Sequence, residues 1–157
     1  MTEKQPEARL GELGITLPTV GPSAGNYVPY VRSGNLLFIS GQVPIGPSGP
    51  LAGRVGETVS ETDAKAAARL AGLGILAVAR QALGSLDRVS RVVKLTGFVN
   101  AVPGFAGQPG VINGCSDLMV EVFGERGRHA RAAVGAGSLP LNVPVEVDAV
   151  LEVRDES

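Results

Sequence analysis

Residues 145–153, VEVDAVLEV, alternate without a break. Val145, Val147, Ala149, Leu151 and Val153 fall on one side, and Glu146, Asp148, Val150 and Glu152 on the other. A period of two is the pattern of a β-strand with one face in a core. A one-residue slip would turn every apolar side chain to the wrong side, so the register is tightly set. The strand therefore belongs to a sheet that is covered on one side only, and the question is what the other side meets.

The cover is legible further back. Thr58 and Glu61 have capping-box spacing, and apolar residues then recur at 64, 67, 68, 71, 75, 78 and 82, which predicts a long amphipathic helix ended by Gly84. Gly72 and Gly74 inside it each cost about 1 kcal/mol relative to alanine, so close packing against the sheet is expected there. A second helix is predicted over about 108–124, where Val111, Cys115, Leu118, Met119 and Val122 share a face. That face puts Cys115, the only cysteine, in the core as a small apolar filler. A short helix is expected within 5–14, followed by a loop rich in Pro, Gly and Ser at 16–26.

Strands are predicted at about 27–32 and 36–43 around a turn at Ser33-Gly34-Asn35, at 91–100, and in HARAAVGAGSLP and VPVEVDAVLEV. The glycine-rich stretches 45–57 and 101–110 read as loops. The order β, β, α, β, α, β, β predicts one α+β domain over 1–157, two-layered, with a mixed sheet carrying two helices on one face. On the other face, Glu146, Asp148 and Val150, with Arg131 and Ala133 from the preceding strand, suit an interface between subunits.

Composition removes several classes of function. With 14 Lys+Arg against 15 Asp+Glu the chain has no global field to attract a polyanion, and aromatic residues are only 4%, few for stacking bases. The stretch ERGRHAR (125–131) supplies a small basic cluster of Arg126, Arg128 and Arg131. Nucleic acid is thus not the expected partner. One cysteine and one histidine argue against a metal site. The opening MTEKQPEARLGELG lacks the order of a secretory signal, and no apolar run reaches the roughly 18 residues of a membrane span. A cytoplasmic location is expected.

Arg131 and Glu146 stand out among small and β-branched neighbours. An arginine on a strand offers a planar fork of donors that matches a carboxylate or phosphate. A glutamate on an adjoining strand could pair with it, or position a water if burial raises its pKa. From these residues alone, a structural ion pair or a solvated strand face stays open beside an anion clamp. His129, two residues before Arg131, reads as a packing residue.

The stretches SGQVP (40–44), RAAV (131–134), LP (139–140) and VEVDAV (145–150), in this order, resemble the RidA/YjgF family, also labelled endoribonuclease L-PSP. The resemblance runs from about Ala24 to the C-terminus and leaves 1–23 as an N-terminal extension. It implies a chorismate-mutase-like fold and a homotrimer with sites in clefts between subunits. It also implies hydrolysis of reactive enamines and imines derived from amino acids, giving a 2-keto acid and ammonia without cofactor or metal. By position, Arg131 would grip the substrate carboxylate and Glu146 would orient or protonate around the attacking water. Tyr27 would approach the substrate and Asn113 would support the site. Ala133 stands where many active relatives have cysteine, leaving a backbone carbonyl to hold the water. The family label carries a second reading, a ribonuclease or translation inhibitor. A third is a non-catalytic trimer that binds small carboxylate metabolites.

Overall fold

A computed structural model describes residues 3–155; the outermost two residues at each end of the expected 1–157 domain lie outside the described residues. The elements in chain order are α1 (Pro6–Glu12), β1 (Tyr30–Ser33), β2 (Leu36–Gln42), a small hairpin β3 (Ile45–Gly46) and β4 (Gly49–Pro50), α2 (Glu61–Leu83), β5 (Val89–Asn100), α3 (Gln108–Phe123), β6 (Ala130–Ala136) and β7 (Val145–Val153). Five strands form one mixed sheet in the order β1-β2-β7-β5-β6, with only the β5–β6 pair parallel. The fold class is α+β with a mixed sheet, as the alternation of strand and helix predicts.

The predicted neighbours β6 and β7 are not neighbours. A parallel connection needs a crossover, and α3 supplies it by returning β6 to the far edge of β5. The gap between β2 and β5 is then filled by β7, antiparallel to both. Glu146 and Arg131 consequently have β5 between them, a separation of strand axes of about 10 Å at ordinary sheet spacing.

The helix-covered face is closed tightly. Leu95, Val147, Leu151, Ile75, Leu118 and Met119 are fully buried in one cluster. The two long helices meet where Gly72 lies against Cys115 and Leu118, so the close packing there is against α3; only Gly74 faces the sheet, at Gln42. Gly114 takes this furthest, since a β-carbon on it would lie 1.9 Å from the Lys65 carbonyl oxygen. By length and mean hydropathy α2 is apolar enough to cross a membrane, although Arg69 and Arg80 interrupt its apolar run, and its apolar stripe is buried against the sheet and α3.

The cap of α2 also differs from expectation. Its N-cap is Ser60, whose hydroxyl accepts from the Asp63 N–H at 3.1 Å. Thr58 is drawn back into the preceding turn, where its hydroxyl accepts from the Arg54 N–H at 2.9 Å. The leading segment is part of the same body. Arg80 on α2 grips the Glu7 carboxylate through Nε and Nη2 at 3.1 and 2.6 Å, and that carboxylate also accepts from the Leu86 N–H.

Candidate active site

Arg131 leaves β6 on the helix-covered side. It pairs in register with the buried Leu95, and its Nη1 donates to Asn113 Oδ1 at 2.7 Å and to Ser116 Oγ at 3.2 Å. Asn113 and Ser116 are three residues apart on α3 and so share one flank of it. Both hydrogens of Nη1 are thereby occupied, while Nε and Nη2 have no acceptor among the described residues. No carboxylate of a described residue pairs with this half-buried guanidinium. That is unusual, because buried charge is ordinarily paired. Arg131 lies on the free edge strand of the sheet, where alternate backbone groups of β6 also lack ladder partners.

Glu146 is on the opposite face. It lies in register with Phe98, on the side that carries Asp148 (opposite Thr96) and Val150 (opposite Lys94 and Phe38). Burial raises the Glu146 carboxyl above its ordinary pKa, and the nearby Asp148 adds to this. Burial raises Asp148 as well, against the opposing pull of a Thr96 hydrogen bond and the Lys94 charge. A carboxyl displaced in this direction is better suited to exchanging a proton near neutrality than an ordinary one. Space for it is made by Gly41 in the β2 bulge, where a β-carbon would come within 2.6 Å of Glu146 Oε1. The glycine of SGQVP thus clears room for a carboxylate as well as shaping the backbone.

The structure therefore brings Arg131 and Asn113 together and keeps Glu146 apart from both. The sequence had placed Arg131 and Ala133 with the residues of the bare face. Instead Ala133 pairs with Gly97 and packs on the core side, next to Arg131 in the same row. Tyr27 is at the other edge of the sheet. It precedes β1, is 52% exposed, and lines a cavity of about 580 Å³ between the segment 16–24, the end of β2 and α2. Within one chain, no side of the sheet collects Tyr27, Arg131 and Glu146.

Of the arginine's surroundings, Ser116 carries no signal of its own in the sequence, and His129 reads there as a packing residue. Ser116 Oγ is 2.9 Å from His129 Nε2, and His129 Nδ1 is 2.6 Å from the Gly127 carbonyl oxygen. The spacing of Asn113 and Ser116 on one helix flank was readable, but which strand residue they would meet depends on the crossover. Cys115, between them in sequence, points the other way into the core, where burial pushes its thiol up to about 12. It is no nucleophile there.

The sequence pattern of the family described as "YjgF/chorismate_mutase-like, putative endoribonuclease" matches residues 7–152. Protein TCP17 of Trypanosoma cruzi is 49% identical over 150 residues, 94% of each chain. A crystal structure of the protein Atu1372 from Agrobacterium tumefaciens, of unknown function, is 50% identical with a TM-score of 0.88, covering 95% of this chain and 92% of that one. The structure of E. coli TdcF with bound serine is 26% identical with a TM-score of 0.61, covering 88% and 98%. The chain belongs to the YjgF family.

Proposed function

We propose that this YjgF-family chain hydrolyses reactive enamines and imines derived from amino acids, releasing a 2-keto acid and ammonia. The observation that carries the reading is Arg131, a half-buried guanidinium held by two neutral acceptors through Nη1 alone, with Nε and Nη2 left for a ligand. Two parallel N–H groups at one edge of a guanidinium fit a carboxylate. The relative TdcF has been solved with bound serine, a small molecule that carries a carboxylate.

The reaction asks little of the protein. An imine carbon beside a carboxylate is already electrophilic. Water adds to it and forms a C–O bond, one proton moves from that oxygen to nitrogen to give the carbinolamine, and the second follows as the C–N bond breaks and the C=O forms, so that R–C(=NH)–COO⁻ and H2O become R–C(=O)–COO⁻ and NH3. Holding the carboxylate fixes the carbon, and one acid-base group relays both protons. Glu146, with its raised pKa, is assigned that second task.

Arg131 and Glu146 cannot serve one substrate within a single chain, because they lie on opposite faces of the sheet. The reading therefore includes a homotrimer, in which the Glu146 face of one protomer is brought against the Arg131 edge of the next, with Tyr27 and the Ala133 carbonyl closing the cleft. The apolar members of that face support burial by another copy: Phe38 and Val134 are each 44% exposed and Val31 is 53% exposed.

The test is release of keto acid and ammonia from imino acids generated in situ. Arg131→Ala should lower kcat/KM roughly a hundredfold or more, the cost of truncating one partner of a charge-assisted pair. Full activity in that variant would overturn the assignment. Salt-sensitive RNA cleavage that persists in Arg131→Ala would instead favour the ribonuclease reading. Carboxylate binding without turnover would favour the non-catalytic binder.

A further inference from the structure

The hydrogen bonds around Arg131 have a direction that the atoms dictate. The Gly127 carbonyl can only accept, so His129 Nδ1 carries the proton that lies 2.6 Å from it. Burial lowers the pKa of this ring below the ordinary histidine value against the opposing pull of the Gly127 hydrogen bond, and the charge of Arg131 lowers it further, so the ring is neutral near pH 7. A neutral ring protonated at Nδ1 presents a lone pair at Nε2. Ser116 must then donate its hydroxyl hydrogen to Nε2 across 2.9 Å, which leaves the Oγ lone pairs for Arg131. The chain runs one way, from the Arg131 Nη1–H to the Ser116 hydroxyl, to the imidazole, to the main chain.

Its far end is closely packed. Gly127 is fully buried, and a β-carbon there would lie 2.1 Å from the Met119 carbonyl oxygen, so its backbone is pressed against α3. An arginine side chain loses rotamer entropy when it is fixed. If the fold fixes Nη1 in advance, a ligand need not supply that cost on binding.

We infer that Ser116 and His129 are positioning residues for the carboxylate clamp: they hold Arg131 through Nη1, so that Nε and Nη2 stay presented as a fork to the carboxylate of a 2-imino or 2-keto acid. This rests on the reading of Arg131 given above. Neither residue touches the substrate. The role is distinct from that of a nucleophile and base, even though a serine hydroxyl 2.9 Å from an imidazole has that spacing. A hydroxyl that must accept from a guanidinium while donating to the ring is held in place by both.

The experiment measures binding of 2-oxobutanoate by calorimetry together with KM and kcat for hydrolysis of the corresponding imine. It compares the parent with Ser116→Ala, Ser116→Thr, His129→Phe and Arg131→Ala. Ser116→Ala and His129→Phe should each weaken binding and raise KM roughly tenfold, the equivalent of one lost hydrogen bond to a charged group, with kcat within about twofold. Ser116→Thr keeps the hydroxyl and should restore both. A kcat collapse in Ser116→Ala with KM unchanged would overturn the inference, because it would make Ser116 a reacting group. Parent-like binding in Ser116→Ala and His129→Phe beside weak binding in Arg131→Ala would also overturn it, while leaving Arg131 as the clamp. Parent-like binding in Arg131→Ala would remove the clamp and this inference with it.

Discussion

The two faces of the sheet are built to different standards of completion. The covered face is closed by the chain itself: α2 and α3 approach until glycine is required at Gly114 and Gly72, and the row Val145, Val147, Leu151 and Val153 is out of water. The open face has the same strands and the opposite character. Glu146 and Asp148 sit on it, each displaced upward in pKa, among exposed Phe38, Val31 and Val134. Stability comes from one side, and the groups with unmet chemistry lie on the other side and at the β6 edge. A substitution should thus affect folding or function according to the face it falls on.

The largest expected effect lies on the closed side. In Gly114→Ala the new methyl would have to displace the Lys65 carbonyl, which belongs to backbone and cannot rotate away. Overpacking of this kind costs about 3 kcal/mol or more. Urea unfolding should show the free energy of unfolding falling by that amount, read as a lower midpoint, and an unchanged midpoint would mean that the α2–α3 seam is looser than described.

Next comes the open side. Phe38→Glu places a charge beside Val150, where the chain alone leaves 44% of the ring exposed. The isolated fold should change by less than about 0.5 kcal/mol, since exposed sites away from caps and cores are tolerant. Assembly should fail: sedimentation at micromolar concentration should give a trimer for the parent and a monomer for the variant, with imine hydrolysis lost alongside. A variant that is monomeric and fully active would dissolve the link between the open face and the site.

The same division explains what the sequence could tell. The alternation of VEVDAVLEV and the 3.6-residue rhythm of α2 and α3 are local patterns, so the covered face, its helices and the core position of Cys115 were legible. The strand order was not. Nothing local says that β7 enters between β2 and β5, and for that reason Arg131 was set beside Glu146 and on the wrong side of the sheet. Thr58 offers the more familiar capping-box spacing, but the Arg54 N–H takes the threonine hydroxyl and Ser60 caps the helix. Ser116 and His129 share the same obstacle: thirteen residues separate them, and only the β5–α3–β6 crossover makes them meet.

The smallest effect is the most specific to the open face. A carboxyl whose folded pKa is raised above its unfolded value favours the protonated fold. Its contribution is intact below the ordinary carboxylate pKa and is lost as pH rises through the folded value. Glu146 is of this kind, raised first by burial and then by Asp148, so at neutral pH its ionised form opposes folding slightly. Glu146→Gln removes that charge while keeping the shape. At pH 8 the variant should be more stable than the parent, by no more than about 0.5 kcal/mol because the group is only partly buried and solvent screens it. At pH 3.5 the difference should vanish, since the parent carboxyl is then neutral. Urea midpoints at the two pH values measure it. Destabilisation of Glu146→Gln at pH 8 would mean that the carboxylate has a favourable partner in the folded protein, its own or the next protomer's.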